Sequence, residues 1–211
     1  MRRLNVAWYA TLLLFALTNR SSAQNRLSSF SRLSAPEKVW VLAHPFISLK
    51  ALHITQDVLL TCKTVVKDPR LDGIEDGGQA DAFRHCFWMA MLSRRIGEKR
   101  ALKLGQAHEK GNYRSFLKGR TEEGALPDSV SCAMDLFNNR YGIELRNAYW
   151  QDNKEQMKER VISEILKGCL VILSRDKAGN YLDAGRAEID MNLWKGKWNI
   201  PKILIPSSGL K

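Results

Sequence analysis

Three short segments of the sequence carry side chains that are suited to chemistry. They read DAFRHCFW at residues 81–88, AHE at residues 107–109, and MDLFNN at residues 134–139, the last followed by Gly142. Imidazole, carboxylate and amide groups of this kind bind divalent metals, transfer protons or hold polar networks together. The spacing of the residues within each segment indicates which of these roles its side chains could share.

Asp81 and His85 stand four residues apart on a predicted helix, so their side chains share one face. A carboxylate in this position can hold one imidazole nitrogen while the other faces a ligand or substrate. In the third segment, Asp135, Asn138, Asn139 and Gly142 follow the helical spacing i, i+3, i+4, i+7. Apolar neighbours flank this polar stripe, so we expect it to be semi-buried.

Three interpretations of these side chains are compatible with the sequence. In the first, His85, His108 and Asp135 bind zinc or another divalent metal and leave a position open for water. In the second, no metal is needed: Asp81 orients His85 as a general base, and His108 and Asn139 supply hydrogen bonds. In the third, the same groups form a structural network that only fixes helix packing.

Substrate contacts are expected from the neighbours of these groups, namely Arg84, Trp88 and Asn138. Residues 94–120 add nine Lys and Arg residues against two Glu, a charge that favours a phosphate-bearing substrate, nucleic acid or an anionic membrane surface. A solvated helix face is the simpler explanation of this charge. The sequence contains no G-x-S-x-G elbow, Walker A loop, dinucleotide fingerprint, EF-hand or specific nucleic-acid motif.

Helical spacing and helix-capping signals predict a mainly α, compact multi-helix domain with a small β-hairpin or coil tail at the C-terminus. Ser34-Ala35-Pro36-Glu37 matches a capping box, and the apolar segment around Phe83 and Phe87 predicts a central, buried helix. The predicted helices are 34–43, 45–67, 79–96, 98–117, 127–147 and 153–167. Residues 170–173 and 181–182 flank a turn and could pair as the hairpin.

The N-terminus resembles an export signal. Arg2 and Arg3 precede an apolar stretch at residues 6–17, and small residues end the segment at Ala23. We expect residues 1–23 to be a signal peptide, 24–33 a flexible lead-in, 34–182 the helical domain and 183–211 an irregular extension. A retained anchor is the alternative to cleavage. After cleavage the protein would be periplasmic or secreted, without a transmembrane span, and its formal net charge would fall from +11 to +8.

Four cysteines, Cys62, Cys86, Cys132 and Cys169, leave two outcomes open. One or two disulfides are compatible with an exported protein, and buried free thiols on apolar helix faces are equally compatible. The spacing of the four residues does not distinguish between these outcomes or select a pairing.

Together the three segments resemble a bacterial family of domains of unknown function, known from secreted proteins and from the C-terminal ends of polymorphic-toxin-like chains. The family pattern runs D-A-x-R-H-x-x-W, then A-H-E, then M-D-L-x-N-N-x-x-G. Here Asp81, Ala82, Arg84, His85 and Trp88 match the first part; Ala107, His108 and Glu109 match the second; Met134, Asp135, Leu136, Asn138, Asn139 and Gly142 match the third.

The toxin-like context of this family implies an enzyme acting on nucleic acid or lipid, by analogy only. One departure bears on a metal site: relatives often have His where this chain has Phe137. The sequence thus predicts an exported hydrolase with an inward His/Asp/Asn site and a phosphate-bearing or lipid substrate. The competing prediction is a non-enzymatic envelope or binding protein in which the same residues form a structural network.

Overall fold

A computed structural model describes residues 28–121 and 126–209, so the predicted signal peptide and most of the predicted lead-in lie outside the described part. Residues 28–32 are helical. The longer elements are α1 (Ala35–Ala43), α2 (Pro45–Val65), α3 (Gln79–Ile96), α4 (Glu98–Leu117), α5 (Ser129–Ala148), α6 (Lys154–Lys167), β1 (Val171–Leu173) and β2 (Leu204–Pro206). The predicted mainly α fold is confirmed.

Local signals account for where several helices begin and end. The capping box predicted at Ser34 and Glu37 is present: the Ser34 side chain accepts from the Glu37 amide, and the Glu37 carboxylate accepts from the Ser34 amide. Helix α6 begins with a second capping box at Asn153 and ends at Gly168, whose φ of 83° is the left-handed conformation that glycine tolerates.

Helix α3 lies at the centre of the fold, as its apolar sequence predicted. It packs against α2, α4, α5, α6 and β1. Its side chains enter both apolar clusters of the core, with Phe83 and Phe87 in one cluster and Met89 and Leu92 in the other, and all four are fully buried. The polar side chains Asp81 and His85 of α3 are likewise buried.

Helices α3 and α5 approach each other unusually closely at Gly142. A β-carbon at this position would overlap the main-chain carbonyl of Cys86. Only glycine, which lacks a β-carbon, permits this contact of backbones. The glycine that ends the third sequence motif therefore sets the distance between the two helices that carry Asp81, His85 and Asp135.

The C-terminal strands differ from the predicted hairpin. Strand β1 pairs antiparallel with β2, with Ile172 facing Ile205. The predicted partner segment, residues 181–182, instead forms two isolated bridges, Tyr181 with Arg175 and Leu182 with Glu188. The C-terminal extension folds back against the helices because two of its residues bind them: Lys202 pairs with Asp128, and Ser207 donates to the Ile165 carbonyl. Local turn signals did not reveal these long-range contacts.

The four cysteines are free thiols, so the structure favours the second of the two outcomes left open by the sequence. Cys86 and Cys132 are buried, and burial raises the pKa of the Cys62 thiol to about 11. Within the described ranges, the structure contains no helix of the length and apolar character that a membrane crossing requires.

Candidate functional site

Three side chains from α3 and α5 converge in the buried interior. His85 Nε2 lies 3.4 Å from Asp81 Oδ1 and 3.3 Å from Asp135 Oδ1. One ligand-type atom of each residue lies within 4.8 Å of the other two, and all three residues are buried. Two oxygens and one nitrogen of this kind are the donor set of many divalent metal sites.

The orientation of the His85 ring is set by Asn139, whose amide oxygen lies 3.3 Å from Nδ1. We assign the imidazole proton to Nδ1 on this contact, which leaves the Nε2 lone pair directed at the two carboxylates. Burial, together with the charges of Arg84 and His108, lowers the pKa of His85 well below its usual 6.5. The ring is therefore neutral at pH 7, the state in which imidazole binds metals.

Asp81 is held in position by two further contacts. Its Oδ2 accepts from the Gly77 amide at 2.7 Å, and its Oδ1 accepts from the Arg84 guanidinium at 2.6 Å. The first contact ties the loop before α3 to the first turn of the helix. The second brings a cation to the edge of the cluster, where it can also pair with an anionic ligand.

Two of the three separations within the cluster are compatible with a metal site. Ligand atoms about 2.0–2.1 Å from a tetrahedral zinc ion lie roughly 3.3 Å from one another. The two His85–carboxylate distances are 3.3 and 3.4 Å. An N–H···O hydrogen bond is usually about 2.9 Å long. The donor set and the spacing both agree with a divalent cation between the three side chains.

The structure does not bring His108 into this group of ligands. Its ring centroid lies 6.3 Å from that of His85, and its Nδ1 lies 3.0 Å from Glu37 Oε1. The two residues form a carboxylate–imidazole pair between α1 and α4. Such a pair orients the ring and stabilises its protonated form, as a general acid or base requires.

Glu37 has two functions in this arrangement, of which the sequence revealed one. Its Oε2 completes the capping box of α1, while its Oε1 contacts His108. Burial acts to raise the pKa of the Glu37 carboxyl, but the hydrogen bond and charge of His108, with the bonds from Ser34, lower it overall. Since the two residues are 71 positions apart, the helical spacing contained no signal for their pairing.

The two asparagines of the third motif lie in different places. Asn139 contacts His85, and its amide nitrogen is buried without a hydrogen-bond partner among the described residues. Asn138 is also buried, but it donates to the Val171 carbonyl and accepts from the Val171 amide. Asn138 thus joins α5 to β1, and the structure does not place it in the site as the predicted substrate contact.

Phe137 and Trp88 also take definite positions relative to the site. Phe137 is exposed, two residues from both Asp135 and Asn139, which are buried. A histidine at this position would lie on the outer side of α5, so Phe137 does not deprive the cluster of a ligand. The Trp88 ring contacts the His108 ring in an edge-to-face arrangement. Its indole N–H donates to Thr55 Oγ1 at 2.9 Å, which holds the Trp88 ring beside the imidazole.

A cleft of about 730 Å³ opens beside His108. Leu52 and Leu59 of α2 line the cleft, together with Glu37 and His108. The cations that line the cleft are Arg32, Lys38, Arg114, Lys118 and Arg120. Only the C-terminal third of the basic segment 94–120 contributes cations to the cleft. Arg94 and Arg100 lie away from it and donate to the main-chain carbonyls of Asp152 and Ile96.

A small cavity of about 50 Å³ lies beside the buried cluster. Asp81, Arg84 and Asp135 line the cavity, and Asn112 lines both the cavity and the cleft. Asn112 also donates to Glu109, a buried neighbour of His108 that is not among the three clustered side chains. The cavity can hold a water molecule next to the candidate ligands.

Comparison with known proteins identifies the family and leaves the activity open. A family model described as a domain of unknown function, DUF6973, matches residues 38–169, which include α2 to α6 and all three sequence motifs. No curated protein and no solved structure matches the chain. Because the match extends over more than half of the sequence, the chain belongs to the DUF6973 family.

Proposed function

We propose that this protein is a hydrolase of phosphoesters that depends on a divalent metal bound by Asp81, His85 and Asp135. The observation that carries the proposal is the spacing of these three side chains, 3.3 and 3.4 Å about the unprotonated Nε2 of a neutral histidine. A metal in such a site polarises a phosphoryl oxygen and lowers the pKa of bound water.

The protein side chains supply proton transfer and substrate binding. Glu37 orients the His108 ring through Nδ1, so that its Nε2 exchanges the proton. In the reaction, the oxygen of water bonds to phosphorus and the bond from phosphorus to the leaving oxygen breaks. His108 takes the proton that the water loses and returns it to the leaving oxygen.

Arg84 is the residue best placed to bind the phosphate itself. Its guanidinium lines the small cavity together with Asp81 and Asp135, so a phosphoryl group near the metal ligands would lie within its reach. Guanidinium groups bind phosphate with two parallel hydrogen bonds. The cations of the cleft would attract the remainder of an anionic substrate.

Export remains part of this proposal. The paired arginines, the apolar stretch at residues 6–17 and the small residues before Gln24 support it. Cleavage would place the enzyme in the periplasm or the medium. N-terminal sequencing of the protein recovered from outside the cytoplasm tests this directly, since a mature chain that starts at Gln24 is expected.

One observation favours the non-enzymatic alternative, in which the cluster is a structural network. Asp81 joins the Gly77 main chain to Arg84, and Asn139 joins α5 to His85. Contacts of this kind fix helix packing whether or not a metal binds. Under this alternative the protein would be an envelope or binding module with an anionic partner.

Titration of the full chain with Zn²⁺ and Mn²⁺, followed by calorimetry, tests the metal site first. We expect one equivalent to bind, and we expect His85→Gln and Asp135→Asn to lower the affinity by about 100-fold or more. His53→Gln is the matched control, since His53 is an exposed histidine of α2. Absence of binding to the wild-type protein would support the structural network instead.

Activity is then measured with a soluble phosphodiester such as bis(4-nitrophenyl) phosphate in the presence of the metal that binds. His108→Gln should bind metal as the wild type does and lose about 100-fold or more of the turnover, as expected for a proton-transfer residue. Turnover that is unchanged in this variant would remove His108 from the mechanism. Turnover in Asp135→Asn would contradict the metal assignment.

A further inference from the structure

The corner between α1 and α2 exposes large apolar side chains to solvent. Phe46 is 97% exposed, Leu42 70%, Val39 66% and Leu49 39%. We refer to these four residues as the apolar tip. Several large apolar side chains exposed at one corner often mark an interaction site, because their exposure to water is unfavourable.

Helix α1 joins the apolar tip to the cleft. Ala35 and Lys38 line the cleft, and Val39 and Leu42 follow at the spacing i+4 and i+7 from Ala35, on the same exposed side of the helix. The rim of the cleft therefore changes from a lysine to aliphatic side chains within two turns. A ligand bound in the cleft would lie next to the apolar tip.

Aliphatic and cationic side chains both line the cleft, along with uncharged polar ones. Leu52 and Leu59 provide an aliphatic surface on α2, whereas Arg114 and Lys118 provide positive charge at the end of α4. Aromatic side chains, on which the bases of a single strand would stack, do not line this cleft within the described ranges. An amphiphile with a phosphate headgroup matches this combination of aliphatic and cationic side chains.

We infer that the substrate of this site is a phospholipid, and that the protein takes it from an anionic membrane surface into which the apolar tip inserts. The inference rests on the proposed function for its chemistry and on charge complementarity for its partner. The cleft cations face the anionic headgroups, and Leu52 and Leu59 contact the acyl chains. Water would add to phosphorus, and one of the two phosphoester bonds would break.

Binding to vesicles tests the membrane surface. The full chain is mixed with vesicles of phosphatidylcholine alone or with an equal part of phosphatidylglycerol, and the bound fraction is measured by sedimentation. We expect preference for the anionic vesicles. The double variant Leu42→Ser/Phe46→Ser should bind them at least about tenfold more weakly, because it removes two inserted side chains.

The matched control is Trp150→Ser/Leu193→Ser, which removes two side chains of similar exposure, 68% and 69%, outside the tip and the cleft. Wild type and variants are compared both as the full chain and from Gln24, the proposed mature start, so that binding through the apolar stretch at residues 6–17 is separated from binding through the tip. Equal binding by tip and control variants, or absence of wild-type binding to anionic vesicles, would overturn the inference.

Charge is tested separately with Lys118→Ser/Arg120→Ser, both of which line the cleft. We expect about fivefold weaker binding to anionic vesicles for each cation removed. Lys103→Ser/Lys110→Ser is the control, since these exposed lysines of α4 do not line the cleft. Equal weakening by the two pairs would show that net charge alone attracts the protein and would overturn the role of the cleft.

Two other partners are outcomes of the same experiments. If single-stranded RNA binds more tightly than the vesicles and the tip variant binds RNA normally, the cleft is a nucleic-acid site and the inference is wrong. If sedimentation shows a dimer that the tip variant abolishes, a second copy of the chain covers the tip. That result would also overturn the inference.

Hydrolysis of phosphatidylglycerol in the vesicles, followed by mass spectrometry, separates the inference from the proposed function. Asp135→Asn should bind vesicles as the wild type does but release no product. Hydrolysis of the soluble diester without vesicle binding would overturn the inference and leave the proposed function intact. Vesicle binding without hydrolysis of any phosphoester would overturn the proposed function and the phospholipid substrate, but not the membrane contact.

Discussion

Two groups of buried charged side chains in this protein differ in how their charges balance. Lys202 and Asp128 form a pair at 2.7 Å with one charge of each sign, and both are buried. The second group consists of Asp81, Asp135, Arg84 and a neutral histidine, His85, and Lys202 also lines the small cavity beside it. The first group is neutral as a whole, whereas the second has a formal excess of negative charge.

The difference in charge balance indicates which group is structural and which is suited to bind a cation. Buried charges are costly unless they are balanced, so a buried pair that is already balanced has no need for a ligand. The Asp128–Lys202 pair also links the start of α5 to the C-terminal extension. Under the proposed function, a divalent cation would offset the excess negative charge of the Asp81–His85–Asp135 cluster.

The largest expected effect is on the balanced pair. Lys202→Met leaves the Asp128 carboxylate buried without its cation, and we expect the free energy of unfolding to fall by about 3–5 kcal/mol. Urea denaturation measures this. Lys154→Met, which removes an exposed ion pair with Asp57, should cost at most about 1 kcal/mol. Metal binding should persist in both variants, and its loss in folded Lys202→Met would contradict the separation of the two groups.

A smaller loss of stability is expected at the contact between α3 and α5, the helices that carry Asp81, His85 and Asp135. Gly142→Ala places a β-carbon against the Cys86 carbonyl, so α3 and α5 must move apart. We expect a loss of about 1–3 kcal/mol in stability, as for other overpacked positions, and weaker metal binding. Gly185→Ala in an exposed loop is the control. Unchanged metal affinity would show that Asp135 does not depend on this contact.

The third expected effect has the opposite sign. Asp135→Asn removes one of two neighbouring carboxylates, so in the presence of a chelator we expect the protein to become more stable by about 1 kcal/mol. With saturating metal the wild type should gain about 2.7 kcal/mol at a hundred times the dissociation constant, and the variant should gain none. Thermal unfolding with and without metal measures both. Destabilisation without metal would assign Asp135 to a structural network.

The smallest effect concerns acid stability at Glu37. Because its pKa is lowered in the folded protein, the Glu37 carboxylate contributes stability above its unfolded value of 4.5, and this contribution is lost as the pH falls through the folded value. Glu37→Gln keeps the capping box. As the pH falls below about 4.5, we expect its free energy of unfolding to decrease less than that of the wild type. Urea midpoints across this range measure it, with exposed Glu188→Gln as the control. Identical slopes in all three proteins would contradict the coupling to His108.

Much of the fold could be predicted because its determinants are local. Helical spacing and caps placed the six helices within a few residues, and the capping box at Ser34 and the buried position of α3 are confirmed. The partner of β1 was not predictable, because β2 follows it by about 30 residues and is held by contacts with Asp128 and Ile165. Turn signals between neighbouring segments do not report such contacts.

The sequence by itself determined the side of α3 that carries Asp81 and His85, since four residues make one turn of a helix. Only the tertiary structure decided which partners meet that side. The close contact at Gly142 brings Asp135 to His85, whereas the packing of α1 on α4 gives His108 to Glu37 instead. Helix periodicity defines a face, but the distance and register between helices depend on side chains that are far apart in the chain.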